Sequence, residues 1–192
     1  MKRAVIIGAS SGIGYEVARL LIAQGWTVGV AARRVEPLTE LQHHAPERVF
    51  TAQIDVTADD ADTSLLQLIE RMGGIDLYFH AAGIGWTNIT LEADKEMKTM
   101  QTNAVGFTRM VGAAYRYFVA NGGGHIACIT SIAGTKGLGP APSYSATKAM
   151  QNTYLQALEQ LANAQKFNIR FTDIRPGFVD TPLLTGEKKY PM

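Results

Sequence analysis

The stretch that most limits what this chain can become is its first strand-like run together with the glycine turn that ends it. Ala4 to Ile7 is short, apolar and rich in β-branched residues, with no polar alternation, which suits a strand buried on both faces. It runs directly into Gly8-Ala9-Ser10-Ser11-Gly12-Ile13-Gly14, after which Val17, Leu20, Leu21 and Gln24 keep helical spacing as far as a stop at Gly25. Thr27 to Ala32 then reads as a second buried strand. Strand, glycine turn, helix and strand make a βαβ unit, which imposes parallel pairing through a right-handed crossover. Glycines in such a turn let backbone amides approach a phosphate, and the helix N-terminus adds positive potential. The spacing is Gly8-x-x-x-Gly12-x-Gly14 rather than G-x-G-x-x-G. An ordinary tight turn would also use glycines; the place of this one between strand and helix favours a nucleotide.

The alternation continues to the end of the chain. Val49 to Ile54 reads as a third strand, Asp59 to Met72 as a helix with Leu65, Leu66 and Ile69 inward, and Gly73-Gly74 as its stop. Ile75 to Phe79 is a fourth strand, Leu91 to Gly122 a long helical region, and His125 to Thr130 a fifth strand. Gly134 to Pro142 is a loop, Ser143 to Ala164 a long helix, and Asn168 to Ile174 a sixth strand broken by Arg175-Pro176-Gly177. This order predicts an α/β fold: a doubly wound parallel sheet of about six strands with helices on both faces. A length of 192 residues with 46% apolar content predicts one domain over residues 1–192.

Charge and cysteine content narrow the function. Eighteen basic against 17 acidic residues give a net charge of +1, which argues against nucleic acid or a membrane surface as the main partner and for a small molecule. Cys128 is the only cysteine and lies in an apolar run, which predicts an inert buried thiol and a reducing, cytoplasmic setting. Met1-Lys2-Arg3 resembles the start of a leader, but glycines interrupt the apolar region at once, and no run approaches the length of a membrane span.

Candidate site residues gather at the predicted carboxyl ends of the strands, where open parallel sheets bind ligands. Arg33 and Arg34 end the second strand, where an NAD site would carry a carboxylate for the ribose 2′-hydroxyl. Paired guanidinium groups suit a 2′-phosphate instead, or they are solvated charges at a helix start. Glu36, with Pro37 next to it, reads as first-turn helix chemistry. Asp55-Val56 ends the third strand; Asp55 either meets an adenine amino group or caps the turn before Thr57. His80-Ala81-Ala82-Gly83 puts small residues at the fourth strand's tip, with His80 read as a packed histidine rather than an acid or base. Asn103 is an unusual residue for the middle of a helix, or else a polar residue facing solvent. In Ser131 to Lys148, Tyr144 and Lys148 stand four apart and share a helix face, with the ammonium beside the phenol. Bringing a tyrosine from a pKa of about 10 to near 7 takes about 4 kcal/mol, more than one amine supplies, so a cationic cofactor is implied.

Taken together these pieces resemble the short-chain dehydrogenase/reductase family over almost the whole chain. The family's T-G-x-x-x-G-x-G loop appears as Ile7 to Gly14, its Y-x-x-x-K pair as Tyr144 to Lys148, and its active serine as Ser131, 13 positions before the tyrosine. Its asparagine falls on Asn103 and its P-G turn on Pro176-Gly177, with Val179 and Thr181 just beyond. The resemblance implies a Rossmann-type fold and hydride transfer between nicotinamide C4 and a carbonyl or alcohol substrate. Tyr144 would be the general acid and base, and Lys148 would depress its pKa and hold the nicotinamide ribose. Ser131 would hold the substrate oxygen, and Asn103 would position a water in a proton relay to Lys148. The cofactor contacts would come from Gly8, Ser10, Ser11, Gly12, Ile13, Gly14, Arg33, Arg34, Asp55, Val56, Ala82, Gly83, Tyr144, Lys148, Pro176, Gly177, Val179 and Thr181, with NADP(H) preferred to NAD(H) and no metal.

The chain departs from the family pattern in three places. Ile7 replaces a threonine, His80-Ala81 replaces Asn-Asn, and the sequence stops at Met192 in what would be the substrate loop. The expectation is therefore an incomplete segment over 183–192, a missing last strand and lid, and an edge at Asn168 to Ile174. The helices around Asn103 to Gly122 and Ser143 to Ala164 resemble those through which the family dimerises, which implies a homodimer or homotetramer. A dinucleotide-binding regulatory or interaction module with little turnover is the alternative reading.

Overall fold

The computed structural model describes residues 2–180. Its elements alternate as predicted. They are β1 (Arg3–Ile7), α1 (Gly12–Ala23), β2 (Thr27–Ala32), α2 (Glu36–His44), β3 (Val49–Gln53), α3 (Ala61–Arg71) and β4 (Leu77–His80). The second half comprises α4 (Ala93–Met100), a π-turn (Gln101–Gly106), α5 (Phe107–Ala120), β5 (Gly124–Ile129), a 3₁₀ turn (Ile132–Gly134), α6 (Pro142–Ala164) and β6 (Ile169–Ile174). The six strands form one sheet in the order β3-β2-β1-β4-β5-β6, and every neighbouring pair is parallel. Among the described residues β6 is one edge of the sheet, as expected for Asn168 to Ile174.

Strand parity sorts the core into two layers. Val5 and Ile7 of β1 point to one face, where Leu65, Leu68 and Ile69 of α3, Phe107 and Met110 of α5 and Leu155 of α6 close over them. Ile6 points to the other, against Ala18 and Ile22 of α1 and Leu38 and Leu41 of α2. Both faces of the central strands are thus dry, which is why they lack polar alternation. The α1 stripe is shifted by one position from the predicted one, and the α3 stripe keeps Leu65 and Ile69 but exchanges one member. Leu66 is exposed and Leu68 takes its place inward; Leu20 is exposed too, and α1 buries Gly14, Ala18 and Ile22 at intervals of four. Apolar residues on adjacent positions leave the phase of a stripe ambiguous by about 100° of helix, and the packing chooses.

The direction of sheet growth reverses between β1, from which the sheet extends toward β2 and β3, and β4, from which it extends toward β5 and β6. This switch point opens a crevice at the carboxyl ends of β1 and β4. Gly8 turns there with φ +87°, its amide donating to Ala31 O at 2.8 Å. A Cβ on Gly8 would lie 2.5 Å from Ala82 N, so the β1 and β4 tips close on each other only because the position is glycine. The predicted long helix from Leu91 to Gly122 is divided: α4 and α5 are joined through the π-turn that contains Asn103. No helix among the described residues is long and apolar enough to cross a membrane.

Candidate active site

Three elements deliver the predicted chemical groups to the crevice. β5 ends at Ile129, and Ser131 caps the adjoining 3₁₀ turn, its Oγ accepting from Ala133 N at 3.0 Å. α6 starts at Pro142, whose missing N–H costs nothing in a first turn, and carries Tyr144 and Lys148 one turn apart. The π-turn carries Asn103. Ser131 and Lys148 are buried and Tyr144 is half-buried. Gly134 packs the 3₁₀ turn so tightly on α6 that a Cβ there would lie 2.7 Å from Lys148 O and 2.5 Å from Asn152 Nδ2.

The Lys148 ammonium lies 5.6 Å from the centroid of the Tyr144 ring and donates to Ile129 O at 3.0 Å. Burial lowers its pKa to about 8, with the Cys128 and Asp173 side chains acting the other way. The phenol of Tyr144 is displaced upward, by burial first, while its hydrogen bond with Ser131 works against that. Lys148 is not among the causes of this displacement. The ammonium is turned to a backbone carbonyl and the ring face, and desolvation outweighs the favourable contact with Ser131.

Asn103 is wholly buried, which removes the reading of a side chain facing solvent. Its Nδ2 donates to Ile84 O at 2.7 Å and its Oδ1 accepts from Ile84 N at 2.9 Å, so one amide locks the loop after β4. Nδ2 also lies 3.3 Å from Thr147 Oγ1, and that hydroxyl donates to Tyr144 O at 2.8 Å. Gly83 sits beside this group, since a Cβ on it would be 3.5 Å from Asn103 Oδ1 and 3.7 Å from Lys148 Nζ.

His80 is packed, as expected. It shares a 2.8 Å hydrogen bond through Nδ1 with the Tyr78 hydroxyl and meets the Phe107 ring edge-on at 5.0 Å between centroids. Burial, assisted by the Lys148 ammonium, lowers its pKa to about 3 and leaves the ring neutral. Cys128 is buried as expected, and desolvation pushes its thiol well above the usual range.

The other end of the crevice holds the predicted nucleotide contacts. The first turn of α1 has Ser11 at its N-cap with no side-chain capping bond, so its amides are available to an outside acceptor. Arg33 and Arg34 are both exposed at the β2 tip, and Arg34 Nη2 reaches Ser10 Oγ at 3.3 Å, joining that tip to the glycine loop. Asp55 does cap its own turn, accepting from Thr57 N at 2.9 Å and Thr57 Oγ1 at 2.7 Å. Burial raises its pKa, but the two Thr57 bonds and the Arg33 guanidinium together bring it below the usual value. A cleft of about 300 Å³ lies here, lined by Arg33, Ile54, Asp55, Ala58 and Ser64 among others. A roomier one of about 490 Å³, against α3 and Arg71, holds none of the predicted residues. Val56 is buried, and its carbonyl accepts from Arg109 Nη1 at 3.3 Å. Pro176 O accepts from Ile132 N at 3.1 Å, which brings Pro176-Gly177 against the 3₁₀ turn, with Val179 exposed beyond it. Thr181 and the segment 183–192 lie outside the described residues.

Two structural partners escaped the sequence reading. Thr130, buried at the β5 tip, donates to Asp173, which also pairs with Arg175, and so ties β5 to β6 beside Ser131. Gln151, fully buried on α6, donates to Asn103 O at 2.7 Å. Its signal was present: Lys148, Gln151, Leu155, Leu158 and Ala162 form a 3-4-3-4 stripe, and a polar residue on a buried stripe asks for a partner.

The comparisons with known proteins agree with this arrangement. The short chain dehydrogenase family model matches residues 2–190. An uncharacterized oxidoreductase of Myxococcus xanthus (strain DK1622) is 32% identical over 197 residues, covering 100% of this chain and 77% of the relative. One from Listeria monocytogenes serovar 1/2a is 36% identical over 188 residues, covering 94% and 75%. Among solved structures, a variant of actinorhodin polyketide ketoreductase with NADPH has a TM-score of 0.85 at 29% identity, covering 95% of this chain and 72% of that one. The closed form of a serine dehydrogenase complexed with NADP+ gives 0.85 and 29%, covering 93% and 73%. With its βαβ glycine loop, its 3-2-1-4-5-6 sheet and this match along nearly its whole length, the chain belongs to the short-chain dehydrogenase family of NAD(P)-dependent oxidoreductases.

Proposed function

We propose that the protein is an NADP(H)-dependent reductase or dehydrogenase that interconverts a small carbonyl compound and its alcohol, with Tyr144 as general acid and base. The observation that carries this reading is the gathering of Ser131, Tyr144, Lys148 and Asn103 around one crevice at the sheet's switch point. The residues present fit the cofactor: an uncapped helix N-terminus adjoins the glycine loop, small residues stand at the β4 tip, and two exposed arginines end β2. Gly8 to Gly14 would hold the pyrophosphate, Asp55 and Val56 the adenine end, Arg33 and Arg34 the 2′-phosphate, and Ala82, Gly83, Lys148 and the Pro176 to Val179 segment the nicotinamide end. When bound, the nicotinamide supplies or accepts the hydride.

The chain's own residues handle the proton. A phenol whose pKa is raised keeps its proton at neutral pH, so Tyr144 serves as the donor to a carbonyl oxygen. Ser131 Oγ hydrogen-bonds the same oxygen and opposes the build-up of charge on it. Lys148, with a pKa of about 8, is mostly charged at pH 7 yet close enough to titration to pass a proton on. Asn103 holds the loop after β4 against α6, and a water at its carbonyl would connect Lys148 to solvent. The NADPH and NADP+ bound by the two structural neighbours support the choice of cofactor. Exposed Val119 on α5 and Leu161 on α6 support a homodimer built on these helices, which light scattering would show as twice the chain mass.

The test is consumption of NADPH against a panel of aldehydes and ketones. Tyr144→Phe should lower the rate by about 10²- to 10⁴-fold and leave the NADPH dissociation constant unchanged. Turnover that survives in Tyr144→Phe defeats the mechanism, and tight NADPH binding by a wild type with no turnover on any carbonyl would favour a binding module.

A further inference from the structure

The π-turn is a costly place to put a residue that must be held still. Its wider hydrogen-bond spacing interrupts the ladder between α4 and α5, and Asn103 lies in the middle of it. Something outside the helix has to fix it. The Asn103 side chain is anchored to Ile84 on one side; on the other, Gln151 Nε2 donates to the Asn103 carbonyl across 48 residues of sequence at 2.7 Å. The second bond from Asn103 to α6, to Thr147 Oγ1, is longer at 3.3 Å.

Gln151 is an expensive residue for its position. It is 0% exposed, and its Oε1 has no partner among the described residues. Its neighbours on the same α6 stripe are Leu155, Leu158 and Ala162, and an aliphatic side chain there would carry no unmet acceptor. What the amide provides in return is the bond to the π-turn, one turn of helix beyond Lys148. With Gln151 donating to it, the Asn103 carbonyl is held in one direction relative to α6.

We propose that Gln151 is a positioning residue that locks the π-turn to α6 and holds the Asn103 carbonyl in register with Lys148. The proposal rests on the function given above for Lys148 and Asn103. Gln151 touches no reacting atom and acts through Asn103.

Gln151→Met keeps the length of the side chain and removes the donor, and Leu158→Met changes the same stripe without touching the π-turn. In Gln151→Met, amide hydrogen exchange over residues 101–106 should accelerate by about five-fold or more, and kcat should fall about ten-fold with the NADPH dissociation constant within about two-fold of wild type. Leu158→Met should change neither. Unchanged exchange at 101–106, equal acceleration in Leu158→Met, or faster exchange with an unchanged kcat would each overturn the proposal. Should Gln151→Met not fold, the wild type decides it. The side-chain amide protons of Gln151 should be protected from solvent in nitrogen-15 spectra, and exchange as fast as that of an exposed glutamine sinks the idea. A wild type that turns over no carbonyl defeats the functional reading instead, and the exchange measurement still judges the brace.

Discussion

The imidazole of His80 lies between Tyr78 and Phe107 with no solvent exposure, and burial brings its pKa from 6.5 to about 3. The folded protein therefore keeps it neutral where the unfolded chain would protonate it. Between about pH 6.5 and 3 the unfolded state binds more protons, so this residue's contribution is complete above pH 6.5 and is lost as the pH falls toward 3. The slope approaches about 1.4 kcal/mol per pH unit. In urea titrations at pH 7 and pH 5.5, wild type should lose about 1 kcal/mol more stability than His80→Asn. Equal losses would mean that the ring is solvated. On the role proposed for it, Lys148 sets function against stability. Its lowered pKa records a charge held where burial disfavours it, so Lys148→Met should raise the melting temperature of the free protein while abolishing turnover. A melting temperature that falls would show that the bond to Ile129 O outweighs desolvation.

At the scale of elements, the strands were legible because burial on both faces leaves uninterrupted apolar runs. The predicted Thr27 to Ala32 strand is β2 without change, and the others end within two residues of their predicted limits. The π-turn was not legible. It differs from α-helix by a single inserted residue, and Gln101 to Gly106 carries no side-chain pattern that marks it. Only the oddity of a mid-helix Asn103 near Gly106 pointed there, and it could not say that the side chain faces inward. Nor could the motif spacing show how β5 meets α6. That contact is made by Gly134, with no room for a methyl group between the 3₁₀ turn and the backbone at Lys148. Gly134→Ala should cost about 1–3 kcal/mol in chemical denaturation, and by pushing Ser131 away from Tyr144 it should lower kcat more than it weakens NADPH binding. A stability within experimental error of wild type would mean that α6 gives way, and the two groups are then less rigidly set than the packing implies.

For the molecule as a whole, the 3-2-1-4-5-6 order places the two halves of the site at opposite ends of one crevice. The arginines and the cleft at Asp55 lie over β2 and β3, while Ser131, Tyr144 and Lys148 lie over β5. A ligand that spans both ends ties the loops after β1, β2, β4 and β5 to one another, so binding should be read directly as stability. At 100 times its dissociation constant, a ligand specific for the folded state adds about 2.7 kcal/mol, or about 5–10 °C for a chain of this size. NADPH should produce that shift. NADH at the same concentration should produce less, because on the proposed reading charge-assisted bonds from Arg33 and Arg34 to a 2′-phosphate would be worth about ten-fold or more in affinity. The two arginines differ in a way that sharpens the test. Arg34 is tied to Ser10 in the glycine loop, whereas Arg33 lies by Asp55 in the cleft of about 300 Å³ and helps keep that carboxylate charged. Arg33→Ala and Arg34→Ala should each weaken NADPH by about ten-fold and leave NADH within about two-fold, with Arg34→Ala showing the larger loss wherever Ser10→Ala shows one too. Equal shifts by the two cofactors, unchanged in both variants, would remove the argument for the 2′-phosphate and leave the arginines as solvated charges at the start of α2.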